Sequence, residues 1–153
     1  MQSKICCFTG PRFVPPEKME LFNERLKKEA MLAIGLGFTH FICGVLNESD
    51  RLFIQIIADI KPCYPVTIEA VAPHYGVIIK NAGDCASLIL DYCDKIFTFS
   101  ECYFLGCVTK QRRYIAEQGG LLIAVQGEKK TPGMSGIVRR AKSRKCQIHY
   151  IEI

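Results

Sequence analysis

Lys4-Ile5-Cys6-Cys7-Phe8-Thr9-Gly10-Pro11-Arg12 opens the chain with an apolar run that breaks on Gly and Pro. Lys4–Phe8 reads as a strand, and Thr9–Arg12 as the turn that ends it. Pro15 and Pro16 then precede Glu17 and Glu20, which suits the fixed φ of a first helical turn and the positive end of the helix dipole. Met19, Phe22, Leu26, Ala30 and Ala33 recur in steps of three and four, and Gly35 and Gly37 stop the pattern before the next strand. The first forty residues therefore read strand, turn, helix.

The same order repeats down the chain. Phe38–Cys43 reads as the second strand, with a helix from Asp50 to Lys61 ended by Pro62. Tyr64–Ala72 reads as the third, with Pro65 at its start where a missing N–H matters least. Val77–Lys80 has no clear assignment, and Asn81 or Asp84 is placed to cap a helix reaching Tyr92. Lys95–Phe99 is the fourth strand, Gly106–Gln118 a polar helix, and Leu121–Val125 a continuous apolar strand of the kind covered on both faces. Met134, Ile137, Val138 and Ala141 give a last helical stripe, and Gln147–Ile151 a final strand. Alternating strands and helices with short connections predict an α/β fold. The expectation is a single three-layer Rossmann-like domain over residues 1–153, with a mainly parallel sheet of about six strands and helices on both faces.

Composition narrows the class. With 49% hydrophobic and 23% charged residues the chain is globular, and no apolar run approaches the roughly 18–20 residues of a membrane span. The nine cysteines form no C-x-x-C pair, are odd in number and follow no secretory signal, so they predict small apolar core residues in a cytoplasmic protein. Charge is uneven: residues 1–100 carry a net −1 and residues 101–153 a net +6. That imbalance suggests an anionic partner, a nucleotide phosphate or a nucleic acid strand.

In open α/β sheets ligands bind beyond the carboxyl ends of strands, where helix N-termini attract anions. The loops to inspect are Thr9–Arg12, Gly44–Asp50, Ser100–Gly106 and Gly127–Gly136. The G-x-G-x-x-G fingerprint is absent after the first strand, where only Gly10 stands, and so is the Walker A pattern. Those absences argue against a nicotinamide-dependent dehydrogenase and a P-loop NTPase.

The same residues carry a family resemblance. Cys6-Cys7-Phe8-Thr9-Gly10-Pro11-Arg12 resembles the CCFTGHR start of the YpsA-like branch of the SLOG superfamily, the Rossmann-like group that includes Smf/DprA and LOG proteins. Phe41-Ile42-Cys43-Gly44 with Asp50 resembles its FICGGALGFD, and Asp94-Lys95-Ile96 through Tyr103 and Gly106-Cys107 its ADKV…Y…GCM. Leu122-Ile123-Ala124-Val125, Gly127 and Gly133 follow its LIAV..G..GGT, so the similarity runs along nearly the whole chain. Departures accompany it. Val45 and Glu48 replace two glycines, which predicts a hindered approach of phosphate to the backbone and a negative charge beside it. Pro11 replaces His, Gln111 and Arg112 stand at an Arg-Asn pair, and Glu117 stands at an Asp. Thr131–Ile137 only loosely resembles the PGGxGTxxE motif of LOG-type phosphoribohydrolases, and the position of its catalytic Glu is Arg140.

The candidate ligand-binding residues are Thr9, Gly10 and Arg12 after the first strand, and Gly44, Asn47 and Asp50 after the second. Ser100, Glu101 and Tyr103 follow the fourth strand, Arg112 lies in the polar helix, and Gly127, Gly133 and Ser135 follow the fifth strand. A guanidinium beside a strand-end turn can hold phosphate bidentately, which favours Arg12. Glu101 could accept a ribose hydroxyl and Tyr103 stack on a base, or both could belong to a plain loop; Asp50 is better suited to capping. His40, His74 and His149 read as packing residues. Arg139, Arg140, Lys142, Arg144 and Lys145 lie off the last apolar stripe, and the bland reading is a solvated face.

The resemblance implies binding and sensing of a nucleotide-derived ligand such as AMP, ADP-ribose or an NAD-like molecule, with no required cofactor; the cysteine spacing predicts no metal and the apolar runs no membrane span. Two rivals stand beside it. One is a phosphoribohydrolase-like enzyme, disfavoured by Arg140. The other is a degenerate scaffold working through protein contacts or single-stranded DNA, although aromatics for base stacking do not interleave with the basic residues. Self-association stays open.

Overall fold

Six strands take up the apolar runs: β1 (Ile5–Thr9), β2 (His40–Cys43), β3 (Thr67–Ala72), β4 (Lys95–Thr98), β5 (Leu121–Gln126) and β6 (Gln147–Glu152). In the computed structural model, which describes residues 4–80, 84–127 and 132–153, they form one sheet in the order β4-β3-β2-β1-β5-β6. Every neighbouring pair is parallel; Cys7 stands opposite Ile42 on β2 and Leu122 on β5. Parallel neighbours require crossovers, and helices supply them. These are α1 (Met19–Gly35), α2 (Glu48–Ile60), α3 (Tyr75–Lys80), α4 (Asp84–Tyr92), α5 (Cys107–Gln118) and α6 (Pro132–Ser143).

The chain steps outward from β1 to β4, then returns past its starting point to β5 and β6. Right-handed crossovers in opposite directions must use opposite faces of the sheet. The side chains follow that rule. Cys6, Phe8, Phe41, Ile68 and Ile123 pack under α1, α2 and α4, while Cys7, Ile42, Val71 and Leu122 pack under α5 and α6. Neighbours in sequence thus enter different cores, the period-two alternation of a strand buried on both sides. On the first face Phe53 of α2 stacks on Phe8, with centroids 4.4 Å apart, and meets Phe41 edge-on at 5.9 Å.

Local signals act as the sequence suggests. Gly37 has φ +96°, its N–H donates to Ile34 O at 3.0 Å, and Phe38 N–H donates to Ala33 O at 3.0 Å. This is a Schellman stop, so Gly35-Leu36-Gly37 ends a helix. Three elements differ from expectation. The first turn over Pro16–Lys18 is a 3-10 helix, and α1 proper begins at Met19. Cys63 N and Tyr64 N donate to Ile60 O, so residues 61–64 are spent turning out of α2 and β3 starts only at Thr67. Tyr75–Lys80, unassigned from sequence, is helical because Tyr75 N and Gly76 N donate to the carbonyls of Ser100 and Glu101 and Ile78 is buried. The cap considered at Asn81 lies outside the described residues.

Cys6, Cys7, Cys43 and Cys107 are buried, whereas Cys63 and Cys102 are exposed, so the core reading holds for only some cysteines. Burial pushes the Cys6, Cys7 and Cys43 thiols up, and Cys93 to about 12. Thiols so placed are inert. Among the described residues no cluster of three His, Cys, Asp or Glu could hold a metal, and no helix is long and apolar enough to cross a membrane.

Candidate functional site

Strand order reverses between β1 and β5, and at that switch point the flanking loops diverge and leave a crevice. A cavity of about 410 Å³ lies there. Thr9, Gly10 and Arg12 line it from the end of β1 and the loop that follows; Gly44 and Asn47 from the loop after β2, and Asp50 from the first turn of α2; Arg112 from α5; and Gly133 from the first turn of α6. Segments more than a hundred residues apart in sequence thus meet at one rim.

The β1 loop is stapled to the start of α2. Asn47 Nδ2 donates to Gly10 O at 3.3 Å, Ser49 Oγ to Pro11 O at 2.6 Å and Glu48 N to Arg12 O at 3.0 Å. Val14 N returns a bond to Glu48 Oε1 at 3.0 Å. Close approach explains the glycine: a Cβ on Gly10 would lie 2.7 Å from Ser49 Oγ and 2.9 Å from its Cβ. Arg12 is exposed, its guanidinium carbon lies 5.6 Å from the Phe13 ring centroid, and it lines the cavity.

These bonds also settle the two departures in the second loop. Val45 is buried in the core of the first face, and Glu48 does not line the cavity, because its carboxylate is held by Val14 N–H and lies 4.0 Å from Arg51. The negative charge expected beside an anion is therefore directed elsewhere. Asp50 does reach the cavity wall. It closes a capping box with Asn47, whose N–H donates to Asp50 Oδ2 at 3.2 Å. Burial pushes its carboxyl up to about 7, against the opposing pull of the Asn47 and Leu46 N–H groups. Since Glu48 N and Asp50 N are already engaged by carbonyls, the start of α2 has little left for an anion. The positive groups at the cavity are Arg12, Arg112 and the first turn of α6.

Gln111 is a residue that sequence reading treated only as a replacement. It is buried, lines the cavity and donates to Val71 O at 2.9 Å. A Cβ on Gly44 would sit 2.8 Å from Gln111 Nε2 and 3.1 Å from Asp50 Oδ2, so Gly44 is fixed by side-chain packing. A polar residue amid the buried stripe of α5 was the available signal.

Other expected residues fall elsewhere. Ser100, Glu101 and Tyr103 do not line the cavity: β4 is the far edge strand, three spacings or about 14 Å from β1. Their loop packs on His74 instead, whose ring meets Tyr103 at 6.0 Å and whose Nδ1 is buried without a hydrogen bond among the described residues. Ser135 lines a separate cavity of about 640 Å³ between α6 and β6. Gly127 lines neither and borders residues 128–131, outside the described set, where Thr131 also lies. Of the other histidines, His40 bonds Thr67 Oγ1 and Glu69, and His149 bonds Glu29.

Fold and cavity define a doubly wound, Rossmann-like α/β protein with a strand-end crevice at its switch point. Among solved structures, DNA processing protein A (DprA) from Streptococcus pneumoniae has this fold, with a TM-score of 0.66 over 95% of the present chain. The two are 14% identical, and the match covers 49% of that neighbour, so this chain spans about half its length. At that identity the likeness concerns the fold alone. No protein-family model and no curated protein matches the chain.

Proposed function

We propose that this chain is a SLOG-type protein of the YpsA-like branch that binds a nucleotide or nucleotide-derived ligand, such as AMP, ADP-ribose or an NAD-like molecule, and senses rather than transforms it. The supporting observation is the meeting of Arg12, Gly44, Arg112 and Gly133 on one cavity of about 410 Å³ at the switch point. That volume falls in the range of small-ligand pockets, and two guanidiniums with a helix N-terminus suit a phosphate. Sensing is favoured over hydrolysis because Arg140 binds Glu117 at 2.6 Å and Asp50 is committed to its cap. A cytoplasmic setting belongs to the same proposal.

A thermal-shift panel with AMP, ADP-ribose and NAD tests this reading. A ligand at 100 times its Kd adds about 2.7 kcal/mol, which raises the Tm of a domain this size by roughly 5–10 °C. Arg12→Ala is expected to abolish the shift. Silence across the panel overturns nucleotide binding, and release of free base from AMP, lost in Asp50→Asn, replaces sensing with hydrolysis.

One observation favours a second reading, binding of single-stranded nucleic acid. Tyr150 of β6, the strand that follows α6, lies beneath Lys142 Nζ at 5.7 Å and lines the α6–β6 cavity with Arg139. The tertiary fold thus supplies the aromatic partner that the basic helix lacks in sequence. Affinity for an oligonucleotide that falls steeply with salt and is weakened by Tyr150→Ala is its expected signature.

A further inference from the structure

A second concavity adjoins the first. It encloses about 200 Å³ along the seam between α5 and α6 and shares Arg112, Gly133 and Ile137 with the switch-point cavity. Its walls follow from helical spacing. Thr109, Arg112, Arg113 and Ala116 recur at i, i+3, i+4 and i+7 on α5, and Gly133, Gly136, Ile137 and Arg140 do the same on α6. One stripe of each helix therefore faces the seam: a Cβ at Gly133 would lie 2.7 Å from the Arg112 guanidinium, which packs across α6 there, whereas a Cβ at Gly136 would meet nothing within 4 Å, so the groove is open beside Gly136.

The charge in this seam is unbalanced. Arg140 is matched by Glu117, but among the described residues neither Arg112 nor Arg113 has an acidic partner. Two unpaired guanidiniums on adjacent residues, in a groove that opens off a phosphate-sized rim, form a site for a second anionic group. Both side chains are exposed, so their guanidiniums reach the groove from its solvent side and meet a ligand there without first being freed from a partner.

We propose that the α5–α6 seam is a second phosphate subsite, so that the preferred ligand is a nucleoside diphosphate or a molecule bridged by a diphosphate. The nucleoside occupies the switch-point cavity, the first phosphate lies at Arg112 and Gly133, and the second lies at Arg113 beside Gly136. The proposal rests on the nucleotide reading above and names the substrate class of that same site.

Isothermal titration with AMP and with ADP tests it. ADP is expected to bind at least about tenfold more tightly, the least that one added charge-assisted contact supplies. Arg113→Ala is expected to reduce ADP to the affinity of AMP while leaving AMP unchanged. Gly136→Leu is expected to do the same by filling the groove, and its thermal unfolding verifies that the fold is intact, since leucine suits a helix better than glycine. Equal affinities for AMP and ADP, or ADP binding untouched by both variants, overturn the subsite and leave the nucleotide reading standing. Failure of both nucleotides to bind overturns the two together.

Discussion

The two faces of the sheet are built from the same strands and do different work. Beneath α1, α2 and α4 the side chains are almost wholly apolar, with Phe8, Phe41 and Phe53 in ring contact and Leu26, Ile57 and Ile68 fully buried. Beneath α5 and α6 the core is smaller and admits polar groups. Glu69, 3% exposed, accepts Tyr114 Oη at 2.6 Å and lies 3.5 Å from His40 Nε2 and 3.6 Å from Lys95 Nζ, while Gln111 is buried against Val71 O. Every unpaired guanidinium of the proposed site but Arg12 is on this second face. A sheet whose two sides differ in this way can concentrate stability on one and spare the other for ligands, because apolar burial needs no fixed partner whereas polar groups must be matched individually.

This contrast is most exposed to a cut in the first face. Phe53→Ala is expected to cost about 3–5 kcal/mol in denaturant unfolding, the range for a buried aromatic. A loss below about 1 kcal/mol would show that the first face does not dominate stability. Next comes the rim, where Asp50 has its carboxyl raised from 3.8 to about 7. A raised carboxyl holds its proton more tightly when folded, so its stabilising contribution is complete below pH 4 and is lost as pH rises through about 7. Asp50→Asn is expected to remove that slope, on the order of 4 kcal/mol over the window, from a pH series of unfolding free energies.

Gly44→Ala should be milder, at about 1–3 kcal/mol, because the added methyl must displace Gln111 and Asp50. Its effect on ligand affinity should exceed that of Phe53→Ala in any variant that remains folded. The smallest change in stability is expected from Arg112→Ala, within about 0.5 kcal/mol, since this exposed side chain has no ion pair among the described residues. Its nucleotide affinity should nevertheless fall about tenfold or more, as loss of a charge-assisted bond to phosphate requires. A variant that lost stability and affinity together would merge the two faces into one function.

Much of the scaffold was legible because its signals are local. The break at Gly10-Pro11, the stop at Gly37 and the apolar run Leu121–Val125 each determine the chain's course within a few residues. The helix over Tyr75–Lys80 was not legible, since its N–H groups are satisfied by carbonyls of Ser100 and Glu101 about twenty-five residues away. The site divides along the same line. Thr9, Gly10, Arg12, Gly44, Asn47, Asp50, Arg112 and Gly133 line one cavity, whereas Ser100, Glu101, Tyr103, Ser135 and Gly127 do not.

By itself the sequence determined the alternation of strands and helices, the parallel class of the sheet and the basic character of the last third, because periodicity, glycine stops and charge are properties of neighbours along the chain. Only the tertiary structure decided that β4 stands at the far edge and that Glu48 is drawn to Val14. It also set Arg112 and Arg113 of α5 on a seam with Gly133 and Gly136 of α6. Those outcomes depend on strand order and crossover hand, which pair residues distant in sequence and leave no trace in any short window of it.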